Sequence, residues 1–210
     1  MLSLPAVLRD TAMLYRALFA RTLVMTGLVF AVVCLVETVG PWPVVLLSFV
    51  ATAVVQGVLI EAVDQARTQR TGSLWQTAWK RAGALLGVSL LTGIGVGLGI
   101  FLLVVPGLIL FTRWSLAVPA VMLEGRSPRD AMRRSRELVR GRGWPIFAIF
   151  LTVTVIAGLA SFGIERALHP VVGLWAALTV ASALTTPFAA HALNVVYYRI
   201  VDPGRPVLRA

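Results

Sequence analysis

From Ala84 to Leu123 the sequence runs through about forty residues of nearly unbroken apolar character, interrupted chiefly by Pro106-Gly107 and by a single cation, Arg113. A bilayer's hydrocarbon is crossed by roughly twenty helical residues, so one helix of that length does not fit it. A soluble chain of this size has no core large enough to hide such a surface. Proline followed by glycine is a turn signal, and the stretch therefore reads as two spans in sequence.

Similar runs recur along the chain. They predict six spans, at about residues 22–39, 44–62, 84–104, 108–123, 146–164 and 174–197. Pro41-Trp42-Pro43 separates the first two, with Trp42 suited to a membrane interface. The fourth is short and carries Pro119, which leaves a tilted or partly re-entrant helix open. Composition agrees: 58% of residues are hydrophobic and 13% charged, about half the charged share of a soluble domain. The fold class expected is all-α, a polytopic transmembrane bundle of about six helices forming one domain over residues 1–210.

Charge then orients the bundle. The formal net charge is +10, and cations cluster between alternate pairs of spans. With the N-terminus in the cytoplasm, Arg9, Arg16 and Arg21 lie inside, followed by Arg67, Arg70, Lys80 and Arg81. Seven arginines lie between Arg126 and Arg142, and Arg199, Arg205 and Arg209 close the chain. Seventeen of the nineteen Lys and Arg residues then fall inside, with Arg166 outside and Arg113 within a span. Such a bias follows the positive-inside rule and predicts a multi-pass membrane protein with both termini cytoplasmic. The apolar stretch after Arg21 has no A-x-A-type exit and reads as a retained span rather than a cleaved signal. Cys34 is the sole cysteine, which excludes an intrachain disulfide and a cysteine metal site.

Short amphipathic helices are expected on the inner side at about residues 4–18, 74–82 and 128–141. Ser3, Ser73 and Ser127 open them as N-caps and suggest a weak threefold repeat of interfacial helix and hairpin. Ser127-Pro128-Arg129-Asp130 places a cap, an N1 proline and an N3 acid in order, and Gly141 and Gly143 end the helix. Ala131, Met132, Ser135, Leu138 and Val139 share one side; Arg129, Arg133, Arg134, Arg136 and Arg140 occupy the others. That split predicts the apolar side toward the acyl boundary and the guanidinium groups on lipid phosphates, each cation contributing about 1 kcal/mol. Fixing topology is the plainer role for the same arginines. Trp75 and Trp79, four apart, are expected interfacial anchors of the shorter helix. Nucleic acid is not an expected partner, since no aromatic interleaving accompanies the basic residues.

Pro106-Gly107, Leu110, Arg113-Trp114, Leu116-Ala117, Pro119 and Leu123-Glu124-Gly125 are followed by Ser127, Ala131, Ser135, Leu138 and Gly141. This order resembles the integral membrane domain attached to some bacterial glycerophosphoryl diester phosphodiesterases, and the stand-alone, largely uncharacterised six-span inner-membrane proteins related to it. The resemblance implies a membrane scaffold. The phosphodiester chemistry of that family belongs to a separate soluble barrel, and His169 and His191 do not supply its histidine and carboxylate set.

The remaining polar residues inside spans are few. Arg113 is expensive unless paired, and Glu37 at a similar depth is its expected partner; a substrate-binding cation is the alternative. Glu61, Asp64 and Glu124 close spans at the inner interface, near arginines they can bind. His191, Asn194 and Tyr198 share one side of the last span below Pro187 and suggest interhelical hydrogen bonds. Gly93, Gly95, Gly97 and Gly99 lie within a span, where they favour close helix packing over a nucleotide loop. Ser89, Ser115 and Ser161 lack a nearby histidine, so no catalytic residues, metal or cofactor are assigned. The expected function is non-enzymatic engagement of anionic phospholipids, in a lipid-handling or scaffold role. A transporter or channel with a pathway near Arg113, Glu61 and His191 is the alternative, and homo-oligomerisation is left open.

Overall fold

The computed structural model describes residues 3–37, 41–69 and 72–203, which are helical almost throughout. The elements are α1 (Leu4–Glu37), α2 (Pro41–Thr68), α3 (Leu74–Lys80), α4 (Ala82–Leu102), α5 (Val104–Trp114), α6 (Ala117–Glu124), α7 (Pro128–Val139), α8 (Gly143–Val172) and α9 (Leu174–Val201). Five stretches among the described residues are long and apolar enough to cross a membrane. They are Leu4–Ala31, Ala82–Leu102, Val104–Glu124, Gly143–Val172 and Ala176–Val201. The span expected at 44–62 falls on α2, many of whose side chains lie outside the described residues.

The first helix is long because nothing interrupts its first twenty residues. No proline or glycine falls between Ala6 and Thr26, and α1 runs unbroken for 34 residues, about 51 Å. The separate interfacial helix expected over residues 4–18 is therefore the first half of α1. Its stripe of Val7, Thr11, Leu14, Thr22 and Thr26 is buried, and Thr26 also donates to the Ala183 carbonyl of α9 at 3.0 Å. The expected repeat loses its first unit for this reason, whereas Ser73 and Ser127 do cap α3 and α7, each accepting a backbone N–H at 3.3 Å.

The α4–α5 turn sits three residues before the position predicted. Leu103 alone is extended, and Pro106 lies in the first turn of α5, where the missing N–H breaks no bond. The helices leave this turn in close contact. A Cβ on Gly107 would stand 2.6 Å from the Ile100 nitrogen, one on Gly99 2.8 Å from the Gly107 Cα, and one on Gly95 2.3 Å from the Trp114 ring. The glycine-rich span is thus a packing surface on one side, through Gly95 and Gly99. Gly93 and Gly97 have nothing within 4 Å.

The segment expected as one span over 108–123 is two helices. Pro119 has no N–H for the Ser115 carbonyl, and the chain turns at Ser115-Leu116 between α5 and α6. Both sides of the break are served by α7. Ser135 Oγ accepts the Leu116 N–H at 3.1 Å and donates to the Arg113 carbonyl at 2.8 Å.

The main core lies at the end where α1 begins and α9 finishes, and it includes Val7, Leu14, Val63, Leu116, Leu138, Ile146 and Val195. Away from that end, large apolar side chains on α4, α5 and α8 point outward, Phe101 at 88% exposure and Leu159 at 68%. An apolar surface this extensive needs an apolar surrounding.

Candidate functional site

Carboxylates at the core end are all engaged within the chain. Glu124, at the end of α6, accepts the Tyr197 phenol at 2.6 Å, Arg134 Nε at 3.1 Å and Arg126 Nε at 2.5 Å. The bond to Glu124 raises the pKa of the Arg126 guanidinium above its ordinary range. Asp64 accepts the Tyr198 phenol at 2.7 Å. Arg67 lies 4.1 Å from the centre of the Tyr198 ring and pairs with Asp202 at 2.6 Å. Asp10 pairs with Arg199 at 2.6 Å, and Asp130 with Arg133 at 3.3 Å. Glu137 lies 3.7 Å from Arg134, and Glu61 accepts the Gln65 amide at 3.2 Å. These pairs join α1, α2, α6 and α7 to α9 or to each other.

Arg81 has a different task. Its guanidinium donates to the Val121 and Met122 carbonyls and closes the end of α6, where Gly125 takes a left-handed conformation.

The cations left over are the more informative set. Among the described residues, the side chains of Arg9, Arg16, Lys80, Arg113, Arg129, Arg136, Arg140, Arg142 and Arg166 make no hydrogen bond or ion pair. All nine are exposed, and all but Arg166 lie on or beside the cationic segments named above. The Arg113–Glu37 pair expected from sequence involves a side chain outside the described residues.

Three of these free cations line one groove. A groove of about 670 Å³ runs between α5 and α8, with the end of α7 as its floor. Its α5 wall is Val105, Leu108, Ile109 and Thr112; Trp144 and Phe147 of α8 stand opposite. Arg113, Arg136 and Arg140 gather at the α7 end with Val139. The stripe of Val105, Leu108 and Ile109 thus leads from an apolar mouth at the α4–α5 turn to a cationic floor.

The α7 residues divide as the sequence predicts, but the direction differs. Ala131, Met132, Ser135, Leu138 and Val139 are buried. They pack on the chain itself, against the α4 and α6 residues Leu85, Val88, Ala120 and Val121 and against the α8 residues Ile146 and Ile149, and not toward an acyl boundary. Ser135 explains the difference, since the broken α5–α6 segment requires its hydroxyl. Ser135→Ala is expected to lower stability by about 1–3 kcal/mol, the cost of a buried N–H left without an acceptor, read from thermal unfolding in detergent.

The arginines named from sequence therefore separate into three groups. Arg133 and Arg134 are tied to acids, Arg129 is free on the surface, and Arg136 and Arg140 reach the groove with Arg113. Among the described residues, the expected hydrogen bonds of His191 and Asn194 are not made. Both residues are fully buried, their side-chain nitrogens and oxygen have no partner among those residues, and Tyr198 on the same side does bond across helices. A second cavity of about 580 Å³ between α2, α4, α5, α8 and α9 includes Gln56, Ser89, Thr92 and Ser115. Neither of these two cavities includes Glu61 or His191.

Tyr197, Gln65 and Asp10 were not singled out by sequence reasoning, although each binds at this end. The available signal was Tyr197-Tyr198-Arg199 at the close of a span, three polar groups at the depth of the span-ending acids.

No curated protein and no solved structure matches this chain. A family model described as a domain of unknown function, DUF7847, matches residues 71–201, from just before α3 to the last residue of α9. Since the match covers more than half of its length, the chain belongs to that family.

Proposed function

We propose that this chain is a six-span protein of a bacterial cytoplasmic membrane, with both termini cytoplasmic, and that it engages anionic phospholipids without covalent chemistry. The observation that carries this reading is the shortage of carboxylates at the cationic end. Asp10, Glu61, Asp64, Glu124, Asp130, Glu137 and Asp202 are each occupied, while eight cations there have no partner among the described residues; Glu165 and Arg166, both unpaired among those residues, lie toward the far end of α8. Surplus cations beside apolar helices find their counter-charge in acidic headgroups, at about 1 kcal/mol each near the surface. The cationic segments between spans support the same orientation through the positive-inside bias. On this reading the likeness of residues 106–141 to the phosphodiesterase membrane domain is one of scaffold, and a role in organising or moving lipid fits it.

The test is lipid selectivity in reconstituted vesicles. The full chain in mixed phosphatidylcholine and phosphatidylglycerol is expected to enrich the anionic lipid in its boundary shell, read with labelled lipids. Reversing charges away from the groove, in Arg9→Glu, Arg16→Glu, Arg129→Glu and Arg142→Glu together, should remove most of that enrichment. An unchanged shell would count against the proposal.

A further inference from the structure

Boundary lipids exchange freely, but the groove between α5 and α8 has the makings of a site that holds one. We infer that it binds a single anionic phospholipid. The phosphate rests on Arg113, Arg136 and Arg140, and an acyl chain lies along Val105, Leu108 and Ile109. This inference rests on the lipid-engaging reading above and goes further, from a diffuse preference to a stoichiometric site.

Three independent features carry it. First, the groove's volume of about 670 Å³ falls in the range of ligand sites, about 300–1,000 Å³. Second, the lining changes along the groove. Toward the α4–α5 turn it is aliphatic, through Val105, Leu108 and Ile109, while Arg113, Arg136 and Arg140 line the end where α7 gives way to α8, beside Trp144 and Phe147. A phospholipid has the same polarity along its axis. Third, the cations are uncompensated: none of the three has a side-chain partner among the described residues, and the carboxylates of α6 and α7 are already committed.

Arg113 is the decisive member. It belongs to an apolar span, where an unpaired cation is costly. Arginine suits phosphate because its planar fork donates two parallel hydrogen bonds. Arg113 comes from α5, and Arg136 and Arg140 from the last turn of α7 and its C-cap, so two elements line the same end of the groove with cations. The Ser135 bonds to Leu116 and to the Arg113 carbonyl fix α7 against α5 and thereby set that spacing.

The experiment is native mass spectrometry of the full chain, released from micelles doped with phosphatidylglycerol or phosphatidylcholine. The wild type is expected to retain one phosphatidylglycerol, and phosphatidylcholine far less. Arg113→Gln/Arg136→Gln/Arg140→Gln should weaken retention by about a hundredfold, each cation being worth somewhat under a factor of ten. Ile109→Trp, which fills the acyl slot and leaves every arginine in place, should also lose the retained lipid. Both variants are checked for unchanged helix content by circular dichroism.

Equal retention by the triple variant, or displacement of the lipid by glycerol phosphate at matched concentration, would overturn the inference. The second result would mean that the site reads a soluble phosphate ester. Vesicle selectivity separates the two levels of the argument. Wild type that enriches anionic lipid in its shell but retains none sinks the groove alone. Wild type that does neither sinks the broader proposal with it.

Discussion

Gly107→Ala is expected to destabilise the folded chain by an amount at the upper end of the about 1–3 kcal/mol seen for overpacked sites. The added carbon would stand 2.6 Å from the Ile100 nitrogen and 2.9 Å from its Cα. Those are backbone atoms, which cannot turn aside as a side chain would. The α4–α5 hairpin must then spread at the point where its two helices touch through Gly99 and Gly107. Gly97→Ala, in the same hairpin, serves as the opposite case. Nothing lies within 4 Å of the position, so the substitution should stabilise by about 0.4–1 kcal/mol through reduced freedom of the unfolded chain. Thermal or denaturant unfolding of the two variants in one detergent checks the sign. Loss of stability in both, or in neither, would contradict the packing described.

Glu124→Ala should cost about 1–3 kcal/mol, the range for leaving a buried hydrogen-bonding group, here the Tyr197 phenol, without its partner. Three groups lose their common acceptor at once: the Arg126 and Arg134 guanidinium groups and the Tyr197 phenol. The carboxylate side chain is 20% exposed, and Arg126 can turn to water, so the lower part of the range is expected. Tyr197 cannot follow, because it is 2% exposed. Glu124→Gln keeps an acceptor for the phenol and should recover a substantial part of the loss. Tyr197→Phe alone should cost about 1 kcal/mol, the net worth of one hydrogen bond. A Glu124→Ala variant within about 0.5 kcal/mol of wild type, the scatter of surface changes, would show that this junction holds little.

Apolar length and charge asymmetry were the most legible parts of the chain, because both are properties of local sequence. The sides of α7 were legible for the same reason: Ala131, Met132, Ser135, Leu138 and Val139 follow a helical period, and all five are buried. What covers them was not. A stripe that packs on lipid and one that packs on a neighbouring helix have the same composition. Only the partner residues, Val88 of α4, Ala120 of α6 and Ile149 of α8 among them, distinguish the two. The division of α1 into two pieces failed because arginines at positions 9, 16 and 21 change polarity without interrupting a helix. The break after Trp114 was half visible in Pro119, but its rescue by a serine about twenty positions downstream was not.

Within the candidate site, each of the three groove arginines was flagged, yet in two unrelated roles. Arg113 was an intramembrane charge seeking an acid, and Arg136 and Arg140 belonged to a surface helix. Their place along one groove depends on where α7 docks, a long-range fact. His191 and Asn194 show the converse. Their spacing suggested bonds across helices, but their buried side-chain atoms have no partner among the described residues.

The Ser135 hydroxyl also bears on how the chain is made. Residues emerge from the ribosome in order, so the turn at Ser115-Leu116 enters an apolar medium before its two missing hydrogen-bonding partners have been synthesised. Until position 135 arrives, an amide and a carbonyl there depend on water or on the translocation machinery. Stable integration of this segment is thus delayed by some twenty codons. In a nascent chain arrested before that serine, α5 and α6 should be open to water-soluble labels, and in one arrested well after it they should be protected.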